Sequence, residues 1–163
     1  MRSFWKEIEK EKRPIVIHGT GDAAERLFHL LKAKGVRTTA FTSSSSFLRN
    51  RSFLGYKVLS LERASEIFGD FVLLMGFGSH DEKVMDEIIE LGEKYDLYMP
   101  DLMLDEEGRC VDEDSLSPYR KRIEWAYSLL EDSYSRRVFE KTMEYRVTGR
   151  IEPLVEINTK EED

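Results

Sequence analysis

Apolar and polar positions alternate along this chain with two different periods. Residues 14–18 (PIVIH) form a short apolar run that stops at Gly19, the pattern of a strand covered on both faces. Residues 22–34 switch to helical spacing, with Ala23, Ala24, Leu27, Phe28, Leu30 and Leu31 on one broad face and Gly35 where a C-terminal cap belongs. A second strand is expected over residues 36–42 (VRTTAFT), which are rich in β-branched side chains. Residues 56–59 (YKVL) give a third strand, and Ser60 is placed to cap a helix running to Phe68. The fourth strand, residues 70–75 (DFVLLM), is the most apolar and belongs at the centre of a sheet. Residues 81–94 carry Val84, Met85, Ile88, Ile89 and Leu91 on a helical face ending near Gly92, and residues 95–99 read as a fifth strand stopped by Pro100.

Parallel neighbours need crossover connections, so this alternation implies a parallel sheet covered by helices. The expected fold is α/β: a Rossmann-like, doubly wound, mostly parallel five-stranded sheet in the order 3-2-1-4-5, followed by a C-terminal helical pair. Before the sheet, residues 1–13 predict an amphipathic helix with Phe4, Trp5 and Ile8 on its apolar side. After the sheet domain (14–100), residues 101–118 form an acidic linker. Residues 119–150 then form a helical hairpin. Its first helix places Tyr119, Ile123, Ala126, Tyr127 and Leu130 on one side, and its second shows Tyr134, Val138, Phe139, Met143 and Val147 before stopping at Gly149. Residues 151–163 are a charged tail whose end, TKEED, is expected to be disordered.

Charge narrows the choice of partner. The net charge of −7 is distributed as +5 over residues 1–80, −11 over 81–114 and −1 over 115–163. An acidic middle argues against wrapping a polyanion, so no nucleic-acid partner is expected. No run of about 18 apolar residues is present, so no membrane span is expected. The N-terminal segment lacks the apolar stretch of a signal peptide. A single cysteine, Cys110, fits a reducing compartment, which makes the expected location cytoplasmic.

The chemistry-bearing signal is the turn after the first strand. Gly19-Thr20-Gly21 with Ala24 matches G-x-G-x-x-A, with a strand before it and a helix after it. A helix that starts there leaves its first N–H groups unpaired at the positive end of its dipole, which favours an anion. A tight β-to-α connection also requires small residues without any ligand, so a purely structural turn is the competing reading. An NAD site expects a carboxylate about 20 residues on, at the end of the second strand. Here that position reads Thr42-Ser43-Ser44. Small hydroxyls with Arg49 and Arg51 nearby suit a 2′-phosphate, as in NADP, or are simply a loop. S-adenosylmethionine sites want the same carboxylate, so that cofactor is not expected on this chain.

The second glycine break, Gly76-Phe77-Gly78-Ser79-His80, follows the fourth strand. In a 3-2-1-4-5 sheet it faces the first turn across the switch-point crevice. His80 there is either a contact or acid–base residue, or the cap of the helix beginning at Asp81. His18 at a strand end is read as a loop partner, and His29 as ordinary helix surface. Three scattered histidines and one cysteine give no metal-ligand spacing, and the acidic residues at 105–107 and 112–114 do not match a calcium loop. There is no nucleophile elbow, no P-loop lysine and no tyrosine–lysine pair at helical spacing near the crevice. No catalytic residues are assigned.

Residues 14–80 (PIVIHGTGDAAERLFHLLKAKGVRTTAFTSSSS, then FLGYKVLSLE and FVLLMGFGSH) resemble the small Rossmann-like domain found in front of many FkbM-family methyltransferases. They are also similar to the opening domain of PglD-type sugar O-acyltransferases. Residues 127–154 (YSLLEDSYSRRVFEKTMEYRVTGRIEPL) resemble the helical connector of FkbM proteins, where a Leu–acid–Ser–Arg helix leads to an Arg–hydrophobic–Thr–Gly turn. In that family a catalytic domain with an S-adenosylmethionine motif follows. No such motif occurs before Asp163, so the resemblance implies a methyltransferase context with the catalytic half absent from this chain. From the acyltransferases it implies a nucleotide-sugar held near Gly19, Thr20, Gly21, Ser43, Gly76 and Ser79, with Ser44 and His80 as neighbours. Three functional readings result. The first is an accessory nucleotide- or nucleotide-sugar-binding domain, with an FkbM-type catalytic domain or a second copy as partner. The second is an interaction domain with a vestigial cleft, docking through Trp5 and the C-terminal helices. The third is a small NADP-binding enzyme.

Overall fold

A computed structural model describes residues 2–44, 51–79, 81–103 and 110–158. The chain divides into two units, Ile8–Met99 and a second built from Met1–Glu7 with Pro100–Asp163. A short α1 (Phe4–Ile8) belongs to the second unit apart from its last residue. In the first unit the elements run β1 (Ile15–His18), α2 (Asp22–Ala33), β2 (Ala40–Thr42), β3 (Ser52–Phe53), β4 (Tyr56–Leu59), α3 (Leu61–Phe68), β5 (Val72–Met75), α4 (Glu82–Lys94) and β6 (Asp96–Tyr98). The sheet order is β3-β4-β2-β1-β5-β6, and every pairing except β3 with β4 is parallel. The fold is therefore α/β and Rossmann-like. The five strands read from the sequence occupy the expected 3-2-1-4-5 order.

The sixth strand is a difference with a local cause. Ser52-Phe53 pairs antiparallel with Tyr56-Lys57 across a two-residue turn, in which Leu54 and Gly55 have φ of 49° and 82°. Positive φ at both central positions matches the right-handed strand twist and closes a tight hairpin. Gly55 accepts that conformation freely, whereas Leu54 is strained in it. Aromatic packing holds the hairpin in place: Phe41 lies 5.0 Å from Phe53 and 5.3 Å from Tyr56, centroid to centroid, and Phe28 of α2 joins them. Alternation at Phe53 and Tyr56 around Gly55 was the signal, hidden by the polar run before it.

The core lies where α2, α3 and α4 cover the sheet. Val16, Ile17, Phe41, Val72, Leu73 and Leu74 are fully buried, as are Leu27 and Leu31 of α2 and Ala64 of α3. Helix starts follow the polar residues: Ser60 Oγ accepts from the Arg63 N–H, and Asp81 Oδ1 accepts from the N–H groups of Lys83 and Val84. The cap of α4 is thus Asp81 and not His80. That helix continues through Gly92 to Lys94, because its packing against the sheet outweighs the penalty of about 1 kcal/mol for a helical glycine. At the opposite edge of the sheet from the glycine turns, the Arg13 guanidinium bridges Glu11 (2.7 Å) and Asp96 (2.6 Å). These contacts hold the Glu11 carboxyl down to about 2.

In the second unit, Phe4 and Trp5 are buried, which removes Trp5 from any docking surface. The acidic segment contains a short helix, α5 (Glu113–Leu116), closed by a reciprocal Asp112–Ser115 capping box. A 3₁₀ turn over Ser117–Tyr119 leads into α6 (Arg120–Ser128), and α7 (Ser133–Thr148) follows. Gly149 ends α7 in the left-handed conformation, with φ 66°, and an added Cβ there would lie 3.4 Å from Phe4 Cβ. Within the segment read as a tail, residues of α8 (Glu152–Asn158) pack on α7, while TKEED lies outside the described residues. Tyr134, expected on the inner side of α7, is 61% exposed, since it stands in the first turn before the helix meets its neighbours.

Gly76 is the tightest point of the sheet unit. A Cβ at residue 76 would lie 2.7 Å from Ala24 Cβ and 2.9 Å from Ala24 Cα, closer than carbon atoms pack. Gly76→Ala is expected to push α2 off the sheet and destabilise the fold by about 1–3 kcal/mol. Urea unfolding followed by circular dichroism checks this as a lowered midpoint.

Candidate functional site

The two glycine turns meet at the carboxyl ends of β1 and β5. Gly19 donates its N–H to the Thr42 carbonyl (2.8 Å), and Gly76 donates to the His18 carbonyl (2.8 Å), so both turns extend the sheet ladder by one bond. Gly19 has a φ of 127°, open only to glycine at low cost. A Cβ on it would lie 3.2 Å from both the Gly76 carbonyl oxygen and Phe77 Cδ1. The turns were expected to face each other across a crevice. Instead they touch, with Phe77 resting over Gly19. Gly19 and Gly76 are therefore accounted for by packing alone.

Gly21 is different. It is the N-cap of α2, its φ of −110° is ordinary extended backbone, and its side chain makes no cap hydrogen bond because it has none. Nothing lies within 4 Å of the position its Cβ would take. Gly21 thus starts α2 without a side-chain cap and with open space on its Cβ side, and helix N-termini are where anions are received. Asp22 and Glu25 in the first turn carry the same sign as such a ligand and offset part of the dipole. Thr20 is half-buried beside Gly21. Ser79 Oγ accepts from the Asp81 N–H (3.0 Å), which commits one lone pair to its own turn. His80 and Arg49 lie outside the described residues, and Arg51 is exposed at the start of the hairpin.

The remaining sequence-derived positions gather on the other side of the sheet ends. His18, Ser43 and Ser44 line a cavity of about 280 Å³ together with Leu61, Glu62, Glu87, Glu90, Leu91 and Lys94. Gly19, Thr20, Gly21, Gly76 and Ser79 do not line it. Three carboxylates and one ammonium make this cavity acidic. Glu62 is held below the usual carboxylate range by hydrogen bonds from its own N–H and from Ser60. The α4 members are spaced at 87, 90/91 and 94, one helical stripe, which in the sequence is indistinguishable from a solvated face. His29, by contrast, is exposed and lies 3.7 Å from Glu25 on the same helix. Among the described residues no group of three or more His, Cys, Asp or Glu could hold a metal ion, and no helix is long and apolar enough to cross a membrane.

Among the described residues His18 is the one histidine that lines this cavity. Its Nδ1 lies 2.9 Å from Thr42 Oγ1, and its ring packs 5.8 Å from that of Phe77. Burial lowers its pKa below the usual value, because the imidazolium would lose its hydration there. The folded state thus holds His18 neutral while the unfolded chain takes up a proton below about pH 6.5. That linkage contributes stability above the unfolded pKa and loses it as pH falls. The chain is expected to lose stability between pH 7.5 and 5.5, and His18→Gln is expected to flatten that slope. Equal slopes in urea titrations of the two proteins would remove His18 as the cause.

Compared with known proteins, the chain matches no family model, no curated protein and no solved structure.

Proposed function

We propose that the sheet unit is a ligand-binding module that takes the phosphate of a nucleotide or nucleotide-sugar at the N-terminus of α2. One observation carries the reading. Of the four glycines in the two turns nearest the switch point, Gly19 and Gly76 are required by backbone conformation or by Ala24, while Gly21 and Gly78 are required by neither, and of these two only Gly21 is the N-cap of its helix. A glycine that the fold does not need, at an uncapped helix N-terminus, is accounted for by close approach of a ligand. The nucleoside end would lie along the ends of β1 and β2, where His18, Ser43 and Ser44 supply neutral hydrogen-bonding groups.

Asp22 and Glu25 make long-range attraction weak, so affinity rests on direct contacts with backbone N–H groups. Ligand concentrations in the millimolar range suit the search. The lack of a carboxylate at Ser43 and Ser44 counts against NAD and S-adenosylmethionine, and small hydroxyls there suit the 2′-phosphate of NADP. The nucleotide-sugar rests on the resemblance to the acyltransferase domain, from whose pattern this position departs. The role as an accessory domain of an FkbM-like methyltransferase, with the catalytic half supplied elsewhere, rests on the resemblance of residues 14–80 and 127–154. A reducing, cytoplasmic setting rests on the single buried Cys110. The second reading, an interaction domain with a vestigial cleft, is favoured by the Phe77 contact that closes the space between the two turns.

A thermal-shift screen with UDP, UDP-sugars, NADP, NAD and S-adenosylmethionine separates these readings. A ligand at about 100 times its Kd adds about 2.7 kcal/mol of stability, so binding is expected as an upward shift in Tm with a UDP-sugar or NADP. Gly21→Val is expected to abolish the shift while lowering the ligand-free Tm only modestly, since its φ and open surroundings accept a side chain and the loss is that of a glycine N-cap, about 1 kcal/mol. No shift with any of these ligands would leave the interaction-domain reading in place.

A further inference from the structure

The helical pair of the second unit buries little of its own apolar surface. Among the described residues α6 contains no buried residue, and α7 contains only Val147. The expected inner side of α6 (Ile123, Ala126, Tyr127 and Leu130) is half-buried. Tyr127 packs there against Phe139, with ring centroids 5.8 Å apart, and donates its hydroxyl to Glu140. The opposite side is also apolar. Trp125 is 65% exposed and Leu129 is 58% exposed. With Arg122 they follow the spacing i, i+3, i+7, one stripe of a helix. A tryptophan and a leucine exposed one turn apart on a helix face of this kind are the minimum of an interaction surface rather than of a solvated face.

The charges around the stripe say what covers it. Its N-terminal end is basic, with Lys121 and Arg122 exposed. The turn just beyond Leu129 is acidic, with Glu131 and Asp132 exposed. Among the described residues Lys121, Arg122 and Glu131 form no ion pair, so these charges are not spent within the unit. A face that is basic at one end, apolar in the middle and acidic at the other is complementary to itself when two copies are laid antiparallel. Isologous pairing puts residue i of one copy against j of the other, and j against i. Crossing at the height of Tyr127, on the helix side away from it, sets Trp125 against Leu129 twice. The same register brings Lys121 and Arg122 to the Glu131–Asp132 turn of the second copy. An anionic lipid surface would attract the basic end but repel Glu124, Glu131 and Asp132, and gives the acidic turn no partner.

We infer that this α6 face is a two-fold, self-complementary interface between two copies of the chain, with Trp125 and Leu129 at its centre. The helix spans only about 14 Å, at about 1.5 Å per residue, well short of the area that permanent dimers bury. The dimer is therefore weak and concentration-dependent, held mainly by the tryptophan. The inference is independent of any ligand at Gly21.

Sedimentation equilibrium on the full chain tests it. A monomer–dimer equilibrium is expected, weakened by about tenfold or more by Trp125→Glu. Circular dichroism should be unchanged, since the side chain is exposed. Arg122→Glu is expected to weaken the dimer, and Glu131→Arg added to it is expected to restore association by reversing both ends of the charge pair. A monomer at every concentration, or a dimer indifferent to Trp125→Glu, would overturn the inference. So would a monomer that binds vesicles of anionic phospholipid through Trp125, which would assign the face to a membrane surface.

Discussion

The structure depends on how closely α2 can approach the ends of β1 and β5. Ala24 and Gly76 meet with no room for one further carbon, and that contact fixes the height and tilt of the helix above the sheet. From it follow the start of α2 at Asp22, the exposure of Gly21 and the touching of the two turns. It also explains why the short strands suffice. Four-residue β1 and β5 are held in register from His18 to Met75 because the helix above them cannot slide.

The same contact separates structural glycines from one that is not. The G-x-G-x-x-A pattern invites a single explanation for all its small residues, yet in this chain they have different causes. Ala24 serves packing against Gly76, and Gly19 serves a turn with φ 127° beneath Phe77. Only Gly21 has neither steric nor conformational cause. Gly21, rather than the pattern as a whole, is therefore the residue a ligand would account for. The acidic cavity on the far side, with His18 at its floor, adds groups for hydroxyls or amines rather than for phosphate.

The sheet order was legible in the sequence because parallel strands buried on both faces read as bare apolar runs, and five of them alternate with helical periods. The β3–β4 hairpin was not, since its two residue pairs follow a serine-rich stretch and its turn places Leu54 where asparagine or glycine is usual. The Tyr134 face was read the wrong way round, and Trp5, read as the apolar side of a docking helix and also as part of a docking surface for a partner, is buried. Both lie on amphipathic helices, and periodicity identifies an apolar side without saying whether anything covers it. Of the candidate site, the placement of the glycine turns and of the serines after β2 at the carboxyl ends of the strands was legible. The glutamates of α4 were not, because one carboxylate stripe looks like any solvated helix face until the fold sets it opposite His18.

Backbone amide shifts of isotope-labelled chain, recorded by NMR while UDP-sugar or NADP is added, test the central claim most directly. The account predicts concentration-dependent shifts at Gly21, Asp22 and Ala23, together with Ser43 and Ser44, and little change at the β6 edge. Titrations that leave the Gly21–Ala23 amides in place, or that move only residues of the acidic cavity, would contradict it.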